Sequence, residues 1–193
     1  MKIGVLASQG AFAEHVSILN QLGVEALPVR LPRELTGLDG LIIPGGESTS
    51  IGKLIFIDNL TGEIKRLIKN GLPVFGTCAG MILLANEISD GNEVEPLGVM
   101  NIIVRRNAFG RQIESFEIEL IIPVLGEKPF PGVFIRAPII EQSDSGVEIL
   151  AKLADGTSVA ARQGKLLASA FHPELTDDLR FHQYFLDIVT GKR

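Results

Sequence analysis

The first half of the chain alternates short apolar runs, each closed by glycine or proline, with segments of helical spacing, and this limits the possible folds more than any other feature. Residues 2–7 read as a buried strand and 11–22 as an amphipathic helix that Gly23 terminates. Residues 24–29 form a second strand and 38–43 a third, which ends in Pro44-Gly45-Gly46. Helical spacing resumes from about 50 to 70, breaks near 58–61 and stops at Gly71. Residues 73–77 form a fourth short strand, and a helix over 79–87 follows at once. Apolar strands joined through helices predict a parallel sheet covered on both faces.

After residue 90 the pattern changes. Residues 99–104, 115–122, 132–137, 147–154, 158–162 and 166–170 read as strands joined by Gly, Pro and Asp turns. They predict an antiparallel extension beside the remaining parallel strands. A closing helix is expected over 176–190, its apolar face made by Leu179, Phe181, Tyr184, Phe185, Ile188 and Val189. With no repeat, low-complexity tract or linker, the expectation is one domain over residues 1–193: a three-layer, open, mostly parallel α/β sheet with some antiparallel strands in its second half.

Composition excludes several functions. Hydrophobic residues at 46% and charged residues at 21% suit a packed globule rather than a disordered chain. A net charge of -5, with no basic cluster beyond the pairs Arg105-Arg106 and Lys192-Arg193, argues against a nucleic-acid surface. The longest apolar runs, such as Met81-Ile82-Leu83-Leu84-Ala85, are too short to cross a bilayer. Met1 leads directly into a strand without a signal-peptide layout, so a cytoplasmic protein with no membrane partner is expected. Cys78 is the one cysteine, which leaves two readings: a small buried apolar residue or a nucleophile.

Its surroundings favour the nucleophile. Gly76-Thr77-Cys78-Ala79-Gly80 lies between an expected strand and an expected helix, the setting of a nucleophile elbow with sulfur in place of a hydroxyl. Such a turn lifts Cys78 above the carboxyl edge of the sheet, where open α/β sheets bind ligands. The start of the next helix favours thiolate there. The Ala79 N–H is then placed to hold an oxyanion.

A thiol nucleophile needs a base, and the base needs an orienting group. Phe171-His172-Pro173-Glu174-Leu175 supplies both types. Pro173 biases His172 towards an extended backbone, in which residues two apart point the same way. His172 and Glu174 are thus expected on one side, at a sheet edge after the 166–170 strand. His15 and His182 fall inside amphipathic helices, where a partly exposed structural role is expected. The third segment is Pro44-Gly45-Gly46-Glu47-Ser48-Thr49, in which Gly46 can bring its N–H close to a ligand as a second oxyanion donor. Each segment has an ordinary reading as well: a buried cysteine, a solvated loop and a plain strand-to-helix turn.

Taken together, these residues resemble the class I (triad) glutamine amidotransferases and, more narrowly, the PdxT/SNO family of glutaminase subunits of pyridoxal 5′-phosphate synthase. The resemblance spans essentially the whole chain. Further carriers are Gly4-Val5-Leu6-Ala7-Ser8-Gln9-Gly10-Ala11-Phe12, Arg106-Asn107-Ala108-Phe109-Gly110-Arg111-Gln112, Ser115-Phe116-Glu117 and Phe134-Ile135-Arg136-Ala137-Pro138. Ser8 departs from the family, which usually carries an apolar residue there.

The resemblance implies a flavodoxin-like amidotransferase fold, with Cys78 as nucleophile, His172 as acid and base, and Glu174 as its orienter. It implies that L-glutamine is held by Gly46, Glu47, Ser48, Arg106, Ile135 and Arg136. Glu47 suits the α-ammonium and Arg106 or Arg136 the α-carboxylate. Gln9 is implied near the oxyanion region and the partner-facing surface, and the partner is the synthase subunit that accepts ammonia. No metal or cofactor is expected. A glutaminase for another pathway, a free-standing cysteine hydrolase and a non-catalytic subunit remain open at this point.

Overall fold

A computed structural model describes residues 1–7, 11–46, 59–91, 94–106, 108–109 and 115–193. The first half contains β1 (Lys2–Leu6), α1 (Phe12–Gln21), β2 (Glu25–Val29), β3 (Gly40–Ile43), α2 (Leu60–Lys69), β4 (Val74–Thr77) and α3 (Ala79–Leu84). The second contains β5 (Ala85–Ile88), β6 (Met100–Arg105), β7 (Ser115–Leu120), β8 (Phe130–Ile135), β9 (Ile139–Ser143), β10 (Glu148–Lys152), β11 (Ser158–Gln163), β12 (Leu166–Ser169) and α4 (Arg180–Val189).

Among the described residues, the main sheet runs β2-β1-β3-β4-β12-β11-β9-β6-β5, with β10 paired to β11. The five strands from β2 to β12 are mutually parallel. From β12 onward the pairings β12–β11, β11–β9 and β9–β6 are antiparallel, and β6–β5 is parallel again. A separate antiparallel ribbon joins β7 and β8. The expected mixture of parallel core and antiparallel extension is therefore present.

β3, β4 and β12 are buried along their whole length, as expected of central parallel strands covered on both faces. Successive residues of β4 separate the layers. Phe75 packs on Phe181 and Phe185 of α4, at ring-centroid distances of 5.5 and 5.6 Å, and meets the ring of His15 on α1 edge-on at 6.3 Å. Gly76 faces α3 on the other side, where a Cβ would lie 2.5 Å from the Gly80 carbonyl carbon. A Cβ on Gly80 would overlap the Ile43 carbonyl oxygen. The glycines on either side of Cys78 thus let α3 lie directly on the backbone of β3 and β4.

Several expected boundaries move. The helix expected over 79–87 ends at Leu84, and Ala85–Ile88 becomes a strand that pairs with β6. Its Asn86 and Glu87 are exposed while Ala85 and Ile88 are buried, a pattern short enough to pass for a helix end. β9 has no counterpart among the expected strands, because Glu141, Gln142 and Ser143 are exposed in succession and give no alternation. The strand expected over 132–137 is shifted to Phe130–Ile135. The closing helix begins at Arg180 rather than 176, after a turn in which the Asp178 carboxylate accepts the Arg180 N–H at 3.1 Å. The helical spacing expected from 50 to 58 lies outside the described residues.

Candidate active site

Register places the site. Ile43 of β3 is paired with Gly76 of β4, and Thr77 of β4 with Ser169 of β12. The chain leaves these three neighbouring strands at one sheet edge, towards Gly45-Gly46, Cys78 and His172 respectively. The link between β4 and β12 continues past their ends, since the Cys78 N–H donates to the Ser169 carbonyl at 2.7 Å. His172 is held in turn by its N–H, which donates to the Val133 carbonyl of β8 at 2.8 Å.

Cys78 adopts φ 49° and ψ −103°, a positive φ that a residue with a Cβ adopts only under strain. This is the elbow expected from the flanking glycines. Cys78 is only 6% exposed, and its Sγ lies 3.8 Å from the Ile135 carbonyl oxygen. Ile135, at the end of β8, is 40% exposed, and Arg136 after it also has a positive φ of 43°. The sharp turn at Arg136 therefore follows directly on the carbonyl that faces the sulfur.

His172 and Glu174 meet as expected, with Nδ1 donating to Oε1 at 2.7 Å. The backbone route differs. Residues Pro173–Leu175 form a turn of 3-10 helix rather than an extended segment, and that turn brings the two side chains together. Both residues are buried, at 7% and 5% exposure. Burial disfavours the charged imidazole, but hydrogen bonds to Cys78 and Glu174 and the charges of both outweigh it and push the His172 pKa up to about 10.

Gly45 makes the close approach possible. A Cβ at this position would overlap His172 Cε1 and lie 3.2 Å from Cys78 Cβ. Its N–H donates to Thr77 Oγ1 at 2.9 Å, which fixes the turn into Gly46. Gly46 itself has φ 151°, a backbone open to glycine. Sequence does not single out Gly45, because a Gly-Gly pair does not reveal which member faces His172.

His15 and His182 depart most from expectation. Neither is partly exposed: both are fully buried, His15 beside Glu174 and His182 against His15. His15 Nδ1 lies 2.8 Å from His182 Nε2, and His15 Nε2 lies 3.3 Å from Thr77 Oγ1 and 3.4 Å from Glu174 Oε2. Burial, together with the charges of His182 and His172, holds the His15 pKa well below its usual value. Burial lowers that of His182 to about 3. Helical spacing places both residues on a helix but gives no means of knowing that the two helices meet.

Arg106 follows β6, where its N–H donates to Asp90 Oδ1 at 3.1 Å and its Nε lies 3.6 Å from the same oxygen. The nearby Ala108 N–H donates to the Ala137 carbonyl at 3.2 Å, which ties this segment to the Ile135-Arg136 turn. Ser8, Gln9, Glu47 and Ser48 lie outside the described residues. Among the described residues, no group of three or more His, Cys, Asp or Glu is arranged to hold a metal ion.

A mostly parallel α/β sheet carrying a strained cysteine at its carboxyl edge, against a histidine paired with a glutamate, defines an α/β protein of the thiol–histidine–carboxylate class. Within that class the chain belongs to the SNO glutamine amidotransferase family, whose model matches residues 5–190. It is 60% identical over 190 residues to the pyridoxal 5′-phosphate synthase subunit PdxT of Herpetosiphon aurantiacus, covering 97% of this chain and 100% of that one. It is 58% identical to the subunit of the same name from Moorella thermoacetica, covering 98% and 100%. A solved structure described as a glutamine amidotransferase superposes with a TM-score of 0.92 at 52% identity, over 97% of this chain and 98% of that one.

Proposed function

We propose that this chain is the glutaminase subunit of a pyridoxal 5′-phosphate synthase. It hydrolyses L-glutamine to L-glutamate and ammonia and delivers the ammonia to the synthase subunit. Near-complete coverage of relatives with that name supports the pathway, and the contact of His172 with Glu174 beside the strained Cys78 is the observation that carries the chemistry. We read the chain as one amidotransferase domain working in the cytoplasm. Among the described residues no helix is long and apolar enough to cross a membrane.

In this mechanism the Cys78 thiolate attacks the side-chain amide carbon of glutamine. The oxyanion takes hydrogen bonds from the Gly46 and Ala79 N–H groups, each worth ~3 kcal/mol of barrier. Imidazolium His172 gives its proton to the leaving nitrogen as the carbon–nitrogen bond breaks, leaving a γ-glutamyl thioester and ammonia. Acylation removes the sulfur's charge and its hydrogen bond to His172. Burial, which opposes the charged imidazole, then favours the neutral base. Neutral His172 takes a proton from water, the hydroxide oxygen attacks the thioester, and the carbon–sulfur bond breaks to release glutamate.

Glu47 takes the α-ammonium of glutamine and Arg106 or Arg136 its α-carboxylate, as charge-assisted partners. Ser48 and the Ile135 backbone complete the substrate contacts. We assign Gln9 to the oxyanion region and the partner-facing surface. Free ammonia takes up a proton in bulk water and loses its nucleophilicity, so a shielded transfer into the synthase is chemically useful.

The test is glutamate release by the purified chain, with and without a pyridoxal 5′-phosphate synthase subunit. Cys78→Ala should abolish release while leaving binding to the synthase intact. Stimulation by another glutamine-dependent synthase, but not by this one, would move the chain to a different pathway.

A further inference from the structure

We propose that His15, backed by His182, is a positioning residue for Glu174: it clamps the carboxylate oxygen that His172 leaves free and so fixes the imidazole above Cys78. This rests on the reading of Cys78, His172 and Glu174 as the catalytic set.

Glu174 is buried and uses Oε1 for His172. Among the described residues, Oε2 has no hydrogen-bond partner at ordinary length, and the ring nitrogen of His15 at 3.4 Å faces it. A buried carboxylate oxygen is costly to leave without a donor. His15 is itself faced by His182 from α4 and by Glu174 and His172 from the 172–175 segment, with Thr77 from β4 beside it.

The protons in this chain have two arrangements. If His15 carried its proton on Nδ1, its Nε2 lone pair would face the carboxylate, and His182 would carry an N–H on Nδ1. That atom is buried without a partner among the described residues. One repulsion and one unsatisfied donor would result. With the opposite tautomers, His182 Nε2–H donates to His15 Nδ1, and His15 Nε2–H is directed at Thr77 Oγ1 at 3.3 Å, with Glu174 Oε2 beside it at 3.4 Å. Only a lone pair on His182 is then left over, and the second arrangement is favoured.

The consequence is directional. Donors run from α4 through α1 to Glu174, which is held from one side by His15 and from the other by His172. A single 3-10 turn is a weak means of orienting a carboxylate, because Glu174 has three rotatable side-chain bonds. The clamp supplies a second anchor, built on two helices that pack on the sheet face carrying Phe75.

The test uses the chain in complex with its synthase. His15→Leu should lower kcat for glutamine about 10- to 100-fold, the scale of a small displacement of a reacting group, with KM changed less than about 2-fold. In His15→Gln the amide nitrogen stands in for Nε2 and should restore kcat to within about 3-fold. In His15→Asn it stands in for Nδ1 and should not. In a Glu174→Gln background, His15→Leu should cost less than about 2-fold, since the residue it positions is already altered. The proton shared by His172 and Glu174, identified by a downfield proton resonance that vanishes in Glu174→Gln, should persist in His15→Gln and disappear in His15→Asn.

Equal rates for the Gln and Asn variants, or an undiminished His15→Leu loss in the Glu174→Gln background, overturn the proposal. If the Leu variant does not fold, the Gln and Asn pair decides. If the parent complex releases no glutamate, the functional reading fails, and the resonance still decides whether the clamp exists.

Discussion

Gly45 occupies the gap between the Cys78 and His172 side chains, so close that a single added Cβ would overlap His172 Cε1 and touch Cys78 Cβ at 3.2 Å. Gly45→Ala should therefore displace the imidazole while leaving the core intact. We expect kcat to fall ~100-fold, the effect of moving a reacting group by about 1 Å. Steady-state kinetics beside a thermal melt will show whether activity falls far more than stability.

The glycines flanking Cys78 should behave in the opposite way. A Cβ on Gly80 would overlap the Ile43 carbonyl, and one on Gly76 would press on the Gly80 backbone. Backbone cannot swing aside as a side chain can, so Gly80→Ala and Gly76→Ala should each destabilise the fold by at least ~2 kcal/mol. The urea midpoint of each variant measures this, and an unchanged midpoint would mean that α3 does not need bare backbone beneath it.

Strain at the elbow predicts an inverted ranking. At φ 49° a Cβ is unfavourable and glycine is at ease. Cys78→Gly should be more stable than Cys78→Ala by ~1 kcal/mol, although glycine usually destabilises ordered backbone. Both variants should lack glutaminase activity, so the comparison isolates the cost of holding the sulfur in place.

The buried histidines make stability depend on acid. In the folded protein His182 resists protonation down to a pKa of about 3, and His15 is likewise held low. In the unfolded chain both accept a proton near pH 6.5, so below that pH the unfolded state binds more protons and stability falls with pH. The stability is fully present above the unfolded pKa and is lost progressively towards pH 3. His172 works the other way: its raised pKa contributes stability present below pH 6.5 and lost as pH rises through about 10. His182→Gln should reduce the stability lost between pH 7 and pH 5 by ~2 kcal/mol, read from urea unfolding at the two values.

Much of this architecture is legible in the residue order because its cues are local. The strand ends at Ile43 and Thr77 are marked by glycines, and Gly76-Thr77-Cys78-Ala79-Gly80 encodes an elbow whose positive φ the fold adopts. The pairing of His172 with Glu174 is legible as well, although through the wrong backbone, since a 3-10 turn and an extended chain can both bring residues two apart together. What stays hidden depends on contacts distant in sequence. His15, Thr77 and His182 come from three separate elements, and no periodicity in any one of them reveals that their polar atoms meet. β9 is hidden for the same reason: its exposed half carries no alternation, and its place is set by pairing with β6.

The adjacency of β4 and β12 also governs when the thiol meets the imidazole. These strands lie side by side in the sheet but far apart along the chain, with the antiparallel extension between them. During synthesis, Cys78 emerges long before His172. The nascent polypeptide thus carries Cys78 without His172 beside it until β12 slots in beside β4, and the two side chains meet only with completion of the sheet.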